Sequence, residues 1–195
     1  MWSRYHIEEA MRSFKEHPTI CSFYGQVIVV ENETCYPHAK YSGSFLQIPS
    51  SGSLELVDFR IWDQRETAIN CLANTALNIS AVVALADAFK FAINSSFDDP
   101  EFGQYPSCDR LLIWTLSLHG NIGISRNISL FYLGHPGSHT ASLHKDAFQE
   151  FCASDFAISK EIARQADLLG INPYQEWQRE YKSALQFGFP PERII

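Results

Sequence analysis

Apolar positions Ile7, Met11 and Phe14 fall three and four residues apart, the spacing of one helix face, within residues 3 to 16. Ser3 is available as the cap, Glu8 and Glu9 lie near the positive end, and Pro18 stops the helix. From Thr19 to about Ala73 the period drops to two. The runs TICSFYGQVIVV, CYPHAKY, SFLQIP, LELVDFRIW and TAINCLA are separated by ENET, SG, SSGS and DQRE. These predict four or five strands in sequence, most simply an antiparallel meander.

A second helix is predicted over residues 80 to 93, capped by Asn78 or Ser80, with Val82, Leu85, Phe89, Ala92 and Ile93 as its main stripe. Ala81, Val83, Ala84, Ala86, Ala88 and Phe91 make it apolar nearly all round, which predicts a central position gripped on two sides. Residues 94 to 109 hold two Pro, one Gly and four acids and are read as a long loop. RLLIWTLSL and ISLFYLG then read as a hairpin turning around HGNIG.

Beyond Gly134 the pattern is helical. Helices are predicted from 142 to 152, from 154 to 169 with Ser154 as cap and Gly170 as the C′ residue, and from 173 to 187. Asn172 and Pro173 suit the start of the last, which keeps Tyr174, Trp177, Tyr181, Ala184 and Leu185 on one stripe. The expected fold class is α+β, a single domain over 1–195. A mostly antiparallel sheet in a β-rich part (19–133) surrounds a buried helix, and an all-helical C-terminal section follows (140–188).

Composition adds a core and a sign. Apolar residues make up 46% of the 195 and charged residues 19%, with 14 Phe, 8 Tyr and 4 Trp, enough large apolar surface to offset chain entropy. The net charge of −7 argues against a nucleic-acid partner, whose binding draws on Lys and Arg neutralising phosphates. Arg164, Arg179 and Lys182 are interleaved with Glu176 and Glu180, the pattern of a solvated face.

Cys21, Cys35, Cys71, Cys108 and Cys152 lie far apart with no CxxC pair, so neither a disulfide framework nor a zinc ribbon is expected. The odd count, the absence of an apolar leader and the absence of a long apolar run predict a soluble cytoplasmic protein with reduced thiols and no membrane association. Asn32, Asn78, Asn94 and Asn127 sit in N-x-S/T sequons, an excess attributed to the clustering of Asn, Ser and Thr at turns and caps.

The densest polar cluster is GHPGSHTASLHKD, where His135, His139 and His144 fall between a strand and a helix. Gly134, Gly137, Ser138 and Thr140 would present backbone N–H groups and hydroxyls to an anion at a helix start, and the imidazoles suit a metal or a general base. A turn at Pro136 breaks helical spacing, and no carboxylate completes a metal set, so no metal is assigned and the cofactor stays unspecified. Cys108 and His119 would stand about 35 Å apart on an extended strand and could not pair.

Asp98, Asp99 and Glu101, with Asp109, form an acidic loop suited to partner recognition. Without a P-loop, Rossmann, nucleophile-elbow or HExxH pattern, the leading expectation is an acidic binding module of inhibitor, immunity, adaptor or chaperone type, steering a basic protein partner. The alternative is a small hydrolase or lyase using the histidine cluster. A third reading, a subunit of an assembly, would expose apolar faces on the C-terminal helices.

Overall fold

In the computed structural model, the described residues are 2–31, 34–37, 46–47, 55–56, 58–72, 77, 79–97, 108–133 and 148–172. Five helices are α1 (His6–Glu16), α2 (Gln64–Leu72), α3 (Ala86–Phe97), α4 (Cys108–His119) and α5 (Phe148–Leu168). The strands are β1 (Ile20–Glu31), β2 (Thr34–Pro37), β3 (Leu46–Gln47), β4 (Glu55–Leu56), β5 (Phe59–Trp62), β6 (Val82–Ala84) and β7 (Asn121–Leu133). The α+β class holds.

The main sheet is mixed rather than antiparallel, in the order β2-β1-β7-β5. β1 and β7 run parallel at the centre, whereas β5 pairs β7, and β2 and β6 pair β1, antiparallel. β6 takes Ser22–Tyr24 and β2 takes Ile28–Glu31, so two short strands share one edge of β1. A meander needs neighbours in sequence to be neighbours in space. Here β7 returns from far along the chain to lie between β1 and β5. The described part of the strand run ISLFYLG, residues 128 to 133, is the second half of β7.

Two strand assignments become helices. TAINCLA belongs to α2, whose start is fixed by Asp63: its carboxylate accepts the Glu66 N–H at 2.9 Å and its carbonyl accepts the Thr67 N–H at 3.0 Å. RLLIWTLSL is α4, and it, not the 80–93 segment, is the buried helix: residues 110 to 117 are all buried. Within 80–93 the β-branched Val82 and Val83 pair with β1, and the helix begins only at Ala86. It buries Ala88 and Ala92 while Leu85, Phe89, Phe91 and Ile93 remain exposed.

The two helices expected at 142–152 and 154–169 are, over the described residues, one helix, α5, in which Ser154 is a buried interior residue rather than a cap. Its end is as expected. Gly170 has φ +69°, and the Ile171 N–H reaches back to the Ala166 carbonyl at 2.9 Å. The 173–187 helix lies outside the described residues.

The larger core packs one face of the sheet (Tyr24, Val27, Trp62, Ile122, Ile124, Leu130) against α2, α4 and α5, including Trp114, Ile158 and Ile162. A smaller cluster joins Cys21 to Ala88 and Ala92 of α3 and to Leu112 and Leu116 of α4. Adjacent strand residues face opposite ways, so Phe23 points to the other side, where α1 lies. Gly25 permits the close β1–β7 approach: a Cβ there would fall 1.6 Å from Ser129 Oγ and 2.6 Å from Ser129 Cβ. Gly25→Ala should therefore cost about 1–3 kcal/mol, seen as a lower urea midpoint at unchanged slope.

Candidate recognition surface

α1 meets the sheet with a face turned about 100° from the one its pattern predicts. His6, Ala10 and Ser13 are buried, while Ile7 and Met11 are 49% and 59% exposed and Phe14 is half-buried. Where α1 crosses β7 it meets a small residue, Ser125, which Glu9 contacts. A helix presenting Ala10 and Ser13 can approach such a surface closely, which branched or long side chains would prevent.

Polar contacts fix the same rotation. One carboxylate oxygen of Glu9 accepts from Ser125 Oγ and from Asn127 Nδ2, both at 2.6 Å. Ahead of the helix, the Ser3 N–H donates to the Ser129 carbonyl at 2.8 Å, and Trp2 bridges Leu130 in antiparallel fashion. The Trp2 indole N–H donates to the Ser80 carbonyl at 2.8 Å. The helix begins at His6 rather than nearer residue 3, and Ser3 Oγ accepts the Tyr5 N–H at 3.4 Å.

Between α1 and β7 runs an open groove of about 540 Å³ lined by Tyr5, Glu8, Glu9, Arg12, Asn127 and Ile128, with Ser3 at one end. Its rim carries both charge signs, and its flank carries exposed Trp2 and Tyr5. Further along β7, Phe131 and Leu133 are also exposed. The arrangement offers aromatic and aliphatic contact area beside groups that form hydrogen bonds, the composition of a binding patch. The Asn127 side-chain amide donates to the Glu9 carboxylate.

The residues singled out for chemistry are not tested by this geometry. Gly134, His135, Gly137, Ser138, His139, Thr140 and His144 lie outside the described residues, as do Asp98, Asp99 and Glu101. Cys108 and His119 open and close α4, so about 16 Å separates them rather than the 35 Å of a strand. The His119 ring instead lies 5.4 Å from Phe91, and His17 stacks on Phe59 at 4.7 Å.

Burial pushes the Cys21 thiol up to about 11 and the Cys71 thiol up to about 12. Cys21 donates to the Leu116 carbonyl at 3.2 Å, so both groups stay protonated and act as small core hydrophobes, not nucleophiles. Among the described residues no three His, Cys, Asp or Glu side chains are grouped to hold a metal ion, and no helix is long and apolar enough to cross a membrane. On α5, Arg164 holds Glu161 bidentately at 2.5 and 2.8 Å and keeps its carboxyl below the usual range, so this part of the basic run is an ordinary ion-paired face.

Sequence reasoning missed the α1 surface because it assigned the apolar stripe to the core. A signal was present: His6, Ala10 and Ser13 share one face at i, i+4 and i+7, so a small polar face existed beside the apolar one. No family model, no curated protein and no solved structure matches the chain.

Proposed function

We propose that the protein is a binding module that recognises a protein partner through the outward face of α1 and the groove beside it. The observation that carries this reading is the rotation of the helix: Ile7 and Met11 are left half-exposed while a histidine, an alanine and a serine are buried. Exposed apolar side chains aligned on one helix face are a cost to an isolated chain, and a partner that covers them removes it. The groove, lined on α1 by Tyr5, Glu8, Glu9 and Arg12, runs along the other flank of the helix from Ile7 and Met11 and supplies hydrogen-bonding groups there.

The partner is basic overall, because the net charge of −7 steers a positively charged protein toward this one before short-range contacts form. An inhibitor, immunity, adaptor or chaperone role fits such a module. Free, buried thiols at Cys21 and Cys71 suit a reducing cytoplasmic setting. A second reading, a subunit of an assembly, is favoured by Phe156 and Leu168 on α5, each 73% exposed, together with neighbouring Leu169.

The two readings separate in one experiment. Tagged wild-type protein and the Ile7→Gln/Met11→Gln variant are used as bait in native extract, and any retained protein is purified for titration against both. A stoichiometric basic partner whose affinity falls at least about 30-fold in the variant supports the module, as expected for loss of two central apolar contacts. A stable homo-oligomer of both proteins with no other partner favours the assembly. Turnover of a small molecule by the isolated chain, without a partner, contradicts both.

A further inference from the structure

His6 is 2% exposed, yet neither ring nitrogen has a hydrogen-bond partner. Its ring lies between Trp2, with centroids 6.0 Å apart, and Phe23, at 5.9 Å. Among the described residues, the rings that meet it from the N-terminal segment and β1, Trp2 and Phe23, are not titratable. Where α1 meets β7 the groups are Ser125 and Asn127, both uncharged. Glu9, on the same helix, is the charge that acts on His6, and its carboxylate is already engaged by Ser125 and Asn127.

We propose that His6 makes the docking of α1 acid-labile: protonating its buried ring releases the N-terminal segment as a unit from an otherwise intact core. Protonation turns the ring's acceptor nitrogen into a second N–H donor and adds a charge, with nothing to receive either in this aromatic site, so the charged form is stable only where water reaches it. Release can be local because no residue of α1 belongs to either main core cluster, both of which draw on α4. The inference concerns how the proposed partner face is held and does not depend on any partner being bound.

Burial outweighs the Glu9 charge and lowers the His6 pKa from its ordinary value of 6.5. The sign follows: docking is fully stable above the ordinary value, and stability is lost as pH falls below it, because the released state takes up a proton that the docked state refuses. While the docked ring stays neutral, the opening constant of α1 grows about tenfold per pH unit in that range.

Hydrogen exchange of the full chain at pH 7.5, 6.5 and 5.5, corrected for intrinsic rates, reads this directly. Between pH 7.5 and 5.5 the α1 amides should lose protection several-fold, with about tenfold the limit for a ring that stays neutral while docked, while α4 amides hold theirs. His6→Phe keeps a ring of similar shape without the titrating nitrogens, and His6→Leu is the second variant. In both, the pH dependence of α1 should fall below about twofold. The proposal is overturned if wild-type α1 protection ignores pH, if α1 and α4 open together, or if the variants keep the wild-type change. A ring titration of wild-type His6 by NMR at or above 6.5 overturns it without any variant.

Discussion

Replacing Arg110 by Met is expected to cost about 3–5 kcal/mol of stability, the range for breaking a buried ion pair by removing one partner. Arg110 is 4% exposed in the first turn of α4. Nη1 donates to the Cys71 carbonyl at 2.9 Å, and Nη2 to the Asp155 carbonyl at 2.7 Å, to Asp155 Oδ1 at 2.6 Å and to Ser159 Oγ at 3.1 Å. One guanidinium therefore ties the end of α2 and the middle of α5 to the buried helix.

Methionine would keep much of the apolar stem packing but leave the Cys71 carbonyl and the Asp155 carboxylate without these donors. Asp155 retains some solvent contact, its side chain being 28% exposed, which places the loss toward the lower end of the range. Domains of this size have about 5–15 kcal/mol in hand, so the variant should unfold at much lower denaturant. Lysine keeps the charge but not the fork that spans three helices, and should recover only part of the loss. A loss below about 1 kcal/mol would mean that the contact behaves as a surface pair.

How far the sequence reaches is shown by the two helices that sit on opposite faces of the sheet. In α4 the run from Leu111 to Leu118 is apolar or small at nearly every position, because the helix is buried all round. Such a run has no solvent face to reveal its period, so it reads equally well as a strand. A helix buried by its neighbours is hidden by them. The start of α2 was more accessible, since Asp63 followed by Glu66 has the spacing of a cap and its N3 acid.

Strand membership was legible for β1 and for the second half of β7, where β-branched and aromatic residues dominate, and Gly170 announced the end of α5. Pairing was not. The parallel contact of β1 with β7 depends on Gly25 meeting Ser129, a property of two distant segments. The α1 surface was only partly legible: its hydrophobic period and its small face are both clear, but which of them turns inward is fixed by contacts such as those of Glu9 with Ser125 and Asn127 on β7, far along the chain. The histidine cluster and the acidic loop lie outside the described residues, so the structure leaves that part of the sequence reading where it stood.

The central claim is that α1 shows its apolar stripe to solvent and its small polar face to the sheet. Two sets of substitutions on this one helix therefore have opposite expected outcomes. Ala10 is fully buried, and Ala10→Glu would force a longer, charged side chain into that site, at a cost of several kcal/mol. Ile7→Gln/Met11→Gln exchanges two half-exposed apolar residues for good helix formers and should change stability by no more than about 1 kcal/mol.

Urea unfolding of the two variants beside wild type is the most direct test. A large fall in the midpoint for Ala10→Glu, or loss of the α1 exchange protection with the core retained, together with a near-wild-type midpoint for Ile7→Gln/Met11→Gln, is the predicted result. The reverse order, with the glutamine pair strongly destabilised and Ala10→Glu tolerated, would show that Ile7 and Met11 face the core and would contradict the proposed recognition surface.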